Sequence, residues 1–124
     1  MTLSTAARNV NEAIRPTFDG AYGLGMCQSL MQNDEAAVPE FEQAIERDPK
    51  AAVAWVGLGT SLNKLHRSKD AIARLQRAIE LEPQMGEAYY ALGLTYQAAG
   101  QTELAQDAFR KAEQYGGAMG SSPR

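Results

Sequence analysis

Apolar and polar positions along this chain recur with a period of 34 residues. Cut as 18–51, 52–85 and 86–119, it yields the same skeleton three times. The first half of each piece carries Leu24-Gly25, Leu58-Gly59 or Leu92-Gly93. The second half carries Ala37, Phe41 and Ala44, then Ala71, Leu75 and Ala78, then Ala105, Phe109 and Ala112. Steps of three and four put side chains on one face of a helix with about 3.6 residues per turn. Each piece therefore predicts two short amphipathic helices. Pro49 and Pro83 stand in register at the ends of the first two pieces. Proline cannot continue a helix but is accepted in its first turn, so Asp48-Pro49 and Glu82-Pro83 mark the joints between pairs.

The helix ends are signalled as well. Asp34, Ser68 and Thr102 occupy equivalent positions before the second helices and are N-cap types. Gly100 suits a left-handed turn residue, and His66 holds the same place one repeat earlier. Gly25, Gly59 and Gly93 on the first helices, with Ala44, Ala78 and Ala112 on the second, predict close helix approach. Cys27 reads as a small packing residue equivalent to Ser61 and Thr95. One position breaks the pattern. Pro39 falls inside the second helix of the first piece, where it removes a hydrogen bond and crowds the preceding turn. A kink or a late helix start is expected there, making the first repeat the least stable of the three.

The pattern W-x2-L-G-x2-Y, then A-x3-F, then P, at a 34-residue period, resembles the tetratricopeptide repeat. The middle piece matches through Trp55, Leu58, Gly59, Leu62, Ala71, Leu75, Ala78 and Pro83. The third matches through Tyr89, Leu92, Gly93, Tyr96, Ala105, Phe109 and Ala112, with Gly117 in place of the proline. The first has Ala21 in the Trp position and Gln28 in the Tyr position. The resemblance implies an all-α, right-handed superhelix (α-solenoid) of three helix-turn-helix repeats: 18–51, 52–85 and 86–119.

It also implies a site. In the family, first helices line a concave groove, and contacts come from the second, fifth, ninth, twelfth and thirteenth positions of each repeat. Here the fifth positions are Tyr22, Val56 and Tyr90, and the ninth are Met26, Thr60 and Leu94. Asp19, Val53 and Glu87 flank them, with Ser29, Asn63 and Gln97, and Leu30, Lys64 and Ala98 at the inner edge. A Lys/Asn/Arg clamp for acidic peptide tails would have only Asn63 and Lys64 to draw on. The expected groove is therefore Tyr22, Met26, Val56, Thr60, Asn63, Lys64, Tyr90, Leu94 and Gln97, taking apolar anchors from a protein or peptide. The plainer alternative is that these side chains pack on one another, or on residues 3–14 folded back, and complete the core. Self-association through the same face is a further alternative.

The two ends read differently. Counting back 34 from Ala37, Phe41 and Ala44 gives Leu3, Ala7 and Val10, which share a face with Ile14. Residues 1–17 are thus expected to form a helix packing on the first repeat, either a cap or the remnant of a longer array. In the last repeat Gln106 replaces Val38 and Ile72, and Glu113 replaces Ile45 and Ile79, as an exposed terminal repeat needs. Residues 116–124 read as disordered, with 120–124 a tail beyond the repeats and Gly-Ala-Met-Gly-Ser resembling a cloning remnant.

Composition narrows the function. A net charge of −3 with 44% hydrophobic residues suggests an ordinary soluble protein without the basic patch that nucleic acid requires. No apolar run is long enough for membrane insertion, and residues 1–14 lack a signal-peptide core. The single cysteine fits a reducing compartment, so a cytoplasmic location is expected. His66 and Cys27 are the only residues of their types, which leaves no set for nucleophilic catalysis or structural zinc. Gly23-Leu24-Gly25 and Gly57-Leu58-Gly59 lie within predicted helices, so they do not present the backbone N–H groups of a nucleotide loop. Glu35, Glu42, Glu46, Glu80 and Glu82 read as a solvated face. The expectation is a non-enzymatic, cofactor-free adaptor, co-chaperone-like or scaffold module. A self-assembling structural protein and a regulatory domain of a larger protein are the alternatives.

Overall fold

A computed structural model describes residues 17–116. It contains α1 (Phe18–Leu30), α2 (Asp34–Arg47), α3 (Ala52–Lys64), α4 (Ser68–Leu81), α5 (Gly86–Ala98) and α6 (Thr102–Gln114). They form three pairs, α1/α2, α3/α4 and α5/α6, and each second helix also packs on the first helix of the following pair. The first helices of neighbouring pairs touch directly, α1 with α3 and α3 with α5. This is an all-α helical-repeat solenoid, as the periodicity predicts. Most of the helix expected over 1–17 lies outside the described residues, as do 117–124. Thr17 is described, and it caps α1: its hydroxyl accepts from the Gly20 N–H at 3.0 Å.

Inside each pair the turn is made by backbone. Gln32, His66 and Gly100 have φ of 64°, 65° and 81°, the left-handed conformation that ends many helices. The following N–H groups, of Asn33, Arg67 and Gln101, donate to Gln28, Leu62 and Tyr96 O at 2.8, 2.9 and 2.8 Å. Those of Gln32, His66 and Gly100 donate to Ser29, Asn63 and Gln97 O. One motif thus satisfies the helix-end carbonyls three times over. It also corrects the expected caps. Asp34, Ser68 and Thr102 are the first helical residues, and Asn33, Arg67 and Gln101 hold the cap positions without a side-chain bond. The turn fixes the chain direction through its own hydrogen bonds, and the freed Asp34 carboxylate accepts from Ser29 Oγ at 3.2 Å instead.

Between pairs, Asp48 O accepts from Ala51 N and Glu82 O from Met85 N, both at 3.1 Å. Each closes a four-residue turn with proline in its second place. The aromatic residue that opens the next repeat ties back to that joint: Trp55 Nε1 donates to Pro49 O at 2.9 Å and Tyr89 OH to Pro83 O at 3.2 Å. Pro39 does not delay its helix. The helix α2 begins at Asp34, in register with α4 and α6, and runs through Pro39 to Arg47.

The core lies between the helix layers. Phe41 and Leu75 are its largest fully buried side chains. One cluster joins Ala37 and Phe41 of α2 to Leu58 and Leu62 of α3 and Ala71 of α4. Another joins Val56, Leu75 and Ala78 to Ala88 and Leu92. The repeat glycines receive the large side chain of their own second helix. A Cβ on Gly25 would stand 2.8 Å from the Phe41 ring, on Gly59 2.6 Å from Leu75 Cγ, and on Gly93 2.6 Å from the Phe109 ring. Cys27 departs from expectation, being exposed while Ser61 and Thr95 are 0% exposed.

Candidate partner-binding groove

The first helices present one wall, and a concavity of about 220 Å³ opens in it between α1 and α3. Tyr22, Met26, Ser29 and Leu30 of α1 line it, facing Val53, Val56, Gly57, Thr60 and Lys64 of α3. Phe41 and Glu87 complete it. The floor is aromatic: Phe18 stacks on Tyr22 at 5.6 Å, and Tyr22 meets Phe41 edge-on at 5.9 Å. Apolar surface stays open above it, with Met26 38% and Leu30 76% exposed. The polar rim has two ends. Lys64 Nζ donates to Ser29 Oγ at 3.4 Å, and Ser29 in turn donates to the buried Asp34. On the other side, partial burial and, secondarily, the Glu87 carboxylate push the Tyr22 phenol above its ordinary value of 10.0.

Of the expected groove residues, Tyr22, Met26, Val56, Thr60 and Lys64 come together here. Val56, 6% exposed, is largely committed to the core. The remaining residues do not line this cavity. Tyr90 is half-buried with its ring 5.7 Å from Phe109, Leu94 is 37% exposed, and Gln97 is exposed. Asn63 is half-buried, and its Oδ1 has no hydrogen-bond partner. The sequence reading missed Phe41 and Gly57. Gly57 could have been noticed, since it stands where repeat three has Ala91 and a second-helix ring can reach only a residue without a side chain.

Other candidate chemistry resolves plainly. The Gly-Leu-Gly segments lie inside α1 and α3. The glutamates 35, 42, 46, 80 and 82 are exposed. Among the described residues no three potential metal ligands cluster, and no helix is long and apolar enough to cross a membrane.

Comparison with known proteins agrees with this architecture. A family profile described as "Tetratricopeptide repeat" matches residues 19–51 and 86–115, and one described as "TPR repeat" matches 67–100. No curated protein matches by sequence. Among solved structures, MamA AMB-1 superposes with a TM-score of 0.74 at 28% identity over 88% of this chain and 64% of that one. MamA MSR-1 gives 0.73 at 26%, covering 87% and 62%. YrrB, described as a TPR protein with an unusual peptide-binding site, gives 0.76 at 23%, covering 84% and 54%. The chain therefore spans less than two thirds of the length of these three relatives. With the two profiles together matching 19–51 and 67–115, and six helices paired as such repeats require, the chain belongs to the tetratricopeptide repeat family, whose members serve as protein-interaction modules.

Proposed function

We propose that this chain is a non-catalytic adaptor or scaffold module that accepts an apolar side chain of a partner protein or peptide in the concavity between α1 and α3. The observation that carries this is the combination of an aromatic floor, Tyr22 and Phe41, with exposed Met26 and Leu30 beside it. At about 220 Å³ the space falls below the roughly 300–1,000 Å³ of small-molecule sites. It suits one anchoring side chain carried by a longer segment, whose flanks then meet Thr60, Lys64 and Glu87. A flexible methionine at the mouth adapts to anchors of different shape. Tyr90, Leu94, Asn63 and Gln97 extend the wall along α5 and the end of α3 for a partner longer than a few residues. The peptide-binding site named for YrrB belongs to that protein, and at 23% identity the likeness supports the fold alone.

The test is capture from a native lysate by the wild-type chain beside a Tyr22→Glu/Leu94→Lys variant of equal helicity. A protein held only by the wild type supports the groove. Equal retention by both chains sinks it, and retention of nothing except further copies of the chain moves the reading to self-assembly.

A further inference from the structure

The charged residues of the three first helices are Asp19 on α1, Lys64 on α3 and Glu87 on α5. They are not spread evenly along the wall. Lys64 stands in the last turn of α3, whereas Asp19 and Glu87 stand in the first turns of α1 and α5 and share one repeat position with Val53. The wall therefore runs from a basic end to an acidic one.

The two ends differ in how far their charge is already answered. Lys64 Nζ donates to Ser29 Oγ at 3.4 Å, and Ser29 donates to the buried Asp34 carboxylate at 3.2 Å. Lys64 also borders a second opening, which it shares with Asp34 and Glu35. An anion brought to this ammonium meets those two carboxylates as well. Glu87 has no such counterpart. The ion pairs among the described residues are Arg77–Glu80 and Arg110–Asp107, and Glu87 is exposed. The helix dipole favours a first-turn carboxylate wherever its side chain points, so it does not account for the direction taken here. Glu87 reaches from α5 to the concavity between α1 and α3, which it lines together with Tyr22 and Val53. It is close enough to act on the Tyr22 phenol.

We propose that the segment bound in this concavity is a basic one, carrying an arginine or lysine next to its apolar anchor, with the cationic head against Glu87. The proposal rests on an apolar anchor occupying the concavity and adds the chemistry of its neighbour. A long cationic side chain lays its methylenes on Val53 and brings its head to the carboxylate at the edge of the Tyr22 ring. An acidic segment would meet Glu87 and Asp19 at one end and Asp34 and Glu35 at the other. The net charge of −3 adds a general attraction for basic segments.

The test is an array of short blocked peptides centred on leucine, methionine or phenylalanine, with arginine, alanine or glutamate at the neighbouring position. The wild-type chain is expected to favour arginine over alanine about threefold to fivefold at low salt, the size of one exposed ion pair. High salt should shrink that ratio, and Glu87→Gln should bring it close to one. A preference for glutamate, retention indifferent to the neighbour, or an arginine preference that survives in Glu87→Gln overturns the proposal. Failure of the groove itself reads differently. Met26→Ser/Leu30→Ser, of unchanged helicity, is expected to lose peptides of all three kinds, and equal retention by that variant places binding outside the concavity, which sinks both readings.

Discussion

The ring of Phe41 lies so close to the α-carbon of Gly57 that a Cβ there would stand 2.7 Å from Cζ and 2.8 Å from Cδ1. The same ring atoms also crowd Gly25, where a Cβ would stand 2.8 Å from Cδ1. A ring held between two helices and 1% exposed cannot move aside. Gly57→Ala is therefore expected to destabilise by about 1–3 kcal/mol of overpacking, less about 1 kcal/mol regained in helix propensity. Gly23→Ala, the in-register substitution, meets open space and should stabilise by about 0.5–1 kcal/mol. Chemical denaturation of the two variants reads opposite signs from one chemical change, and like signs would refute the packing account.

His66 takes φ of 65° at the place where the next repeat has Gly100 at 81°. A side chain in this conformation crowds the following carbonyl, at a cost of about 1–2 kcal/mol that glycine avoids. His66 is exposed, so its replacement removes no packing. His66→Gly should raise the thermal midpoint, and Gln32→Gly should do the same in repeat one. The loosening of the unfolded chain by glycine offsets part of the gain. A lower midpoint in both variants would mean that the left-handed turn is not strained.

Pro39 sits within α2 yet leaves its bounds in register with α4 and α6. What it removes is one hydrogen bond and one turn's easy packing, at up to about 3 kcal/mol in a helix interior. Because Pro39 is exposed, Pro39→Ala should stabilise by about 1–3 kcal/mol. Hydrogen exchange in the wild type should be fastest across α1 and α2, and the substitution should slow it there first. Uniform protection across the three repeats would contradict this.

The architecture was legible because each repeat restates it. Leu58, Phe41, Leu75 and their small partners recur at one spacing, and the core simply joins them. The caps were misplaced by one residue because Asp34, Ser68 and Thr102 have the right chemistry for a role the backbone already fills. The left-handed His66 was legible only through its register with Gly100, and the same register carries the conformation back to Gln32, whose own chemistry does not announce it. Half of the candidate groove resisted reading for a different reason. Position in the repeat says which residues face the wall, but whether Tyr90 borders an opening or leans on Phe109 depends on the residue opposite.

Tyr22 offers a view of the groove through its ionisation. Burial first, and the Glu87 carboxylate second, hold its phenol above 10.0. Both disfavour the phenolate in the folded chain, so the unfolded chain ionises first as pH rises. The contribution to stability is thus complete below about 10 and falls as pH climbs from there toward the raised value. Glu87→Gln should bring the Tyr22 titration down toward 10 without reaching it, because burial remains. The phenolate absorbance of the wild type minus that of Tyr22→Phe isolates this residue from the other four tyrosines. An unmoved titration in the Glu87→Gln chain would separate Glu87 from the cavity rim. A partner's apolar side chain seated over Tyr22 would displace water from the phenol and move the titration the other way, upward. The sign of the shift on adding a partner then distinguishes occupation of this cavity from binding elsewhere on the wall.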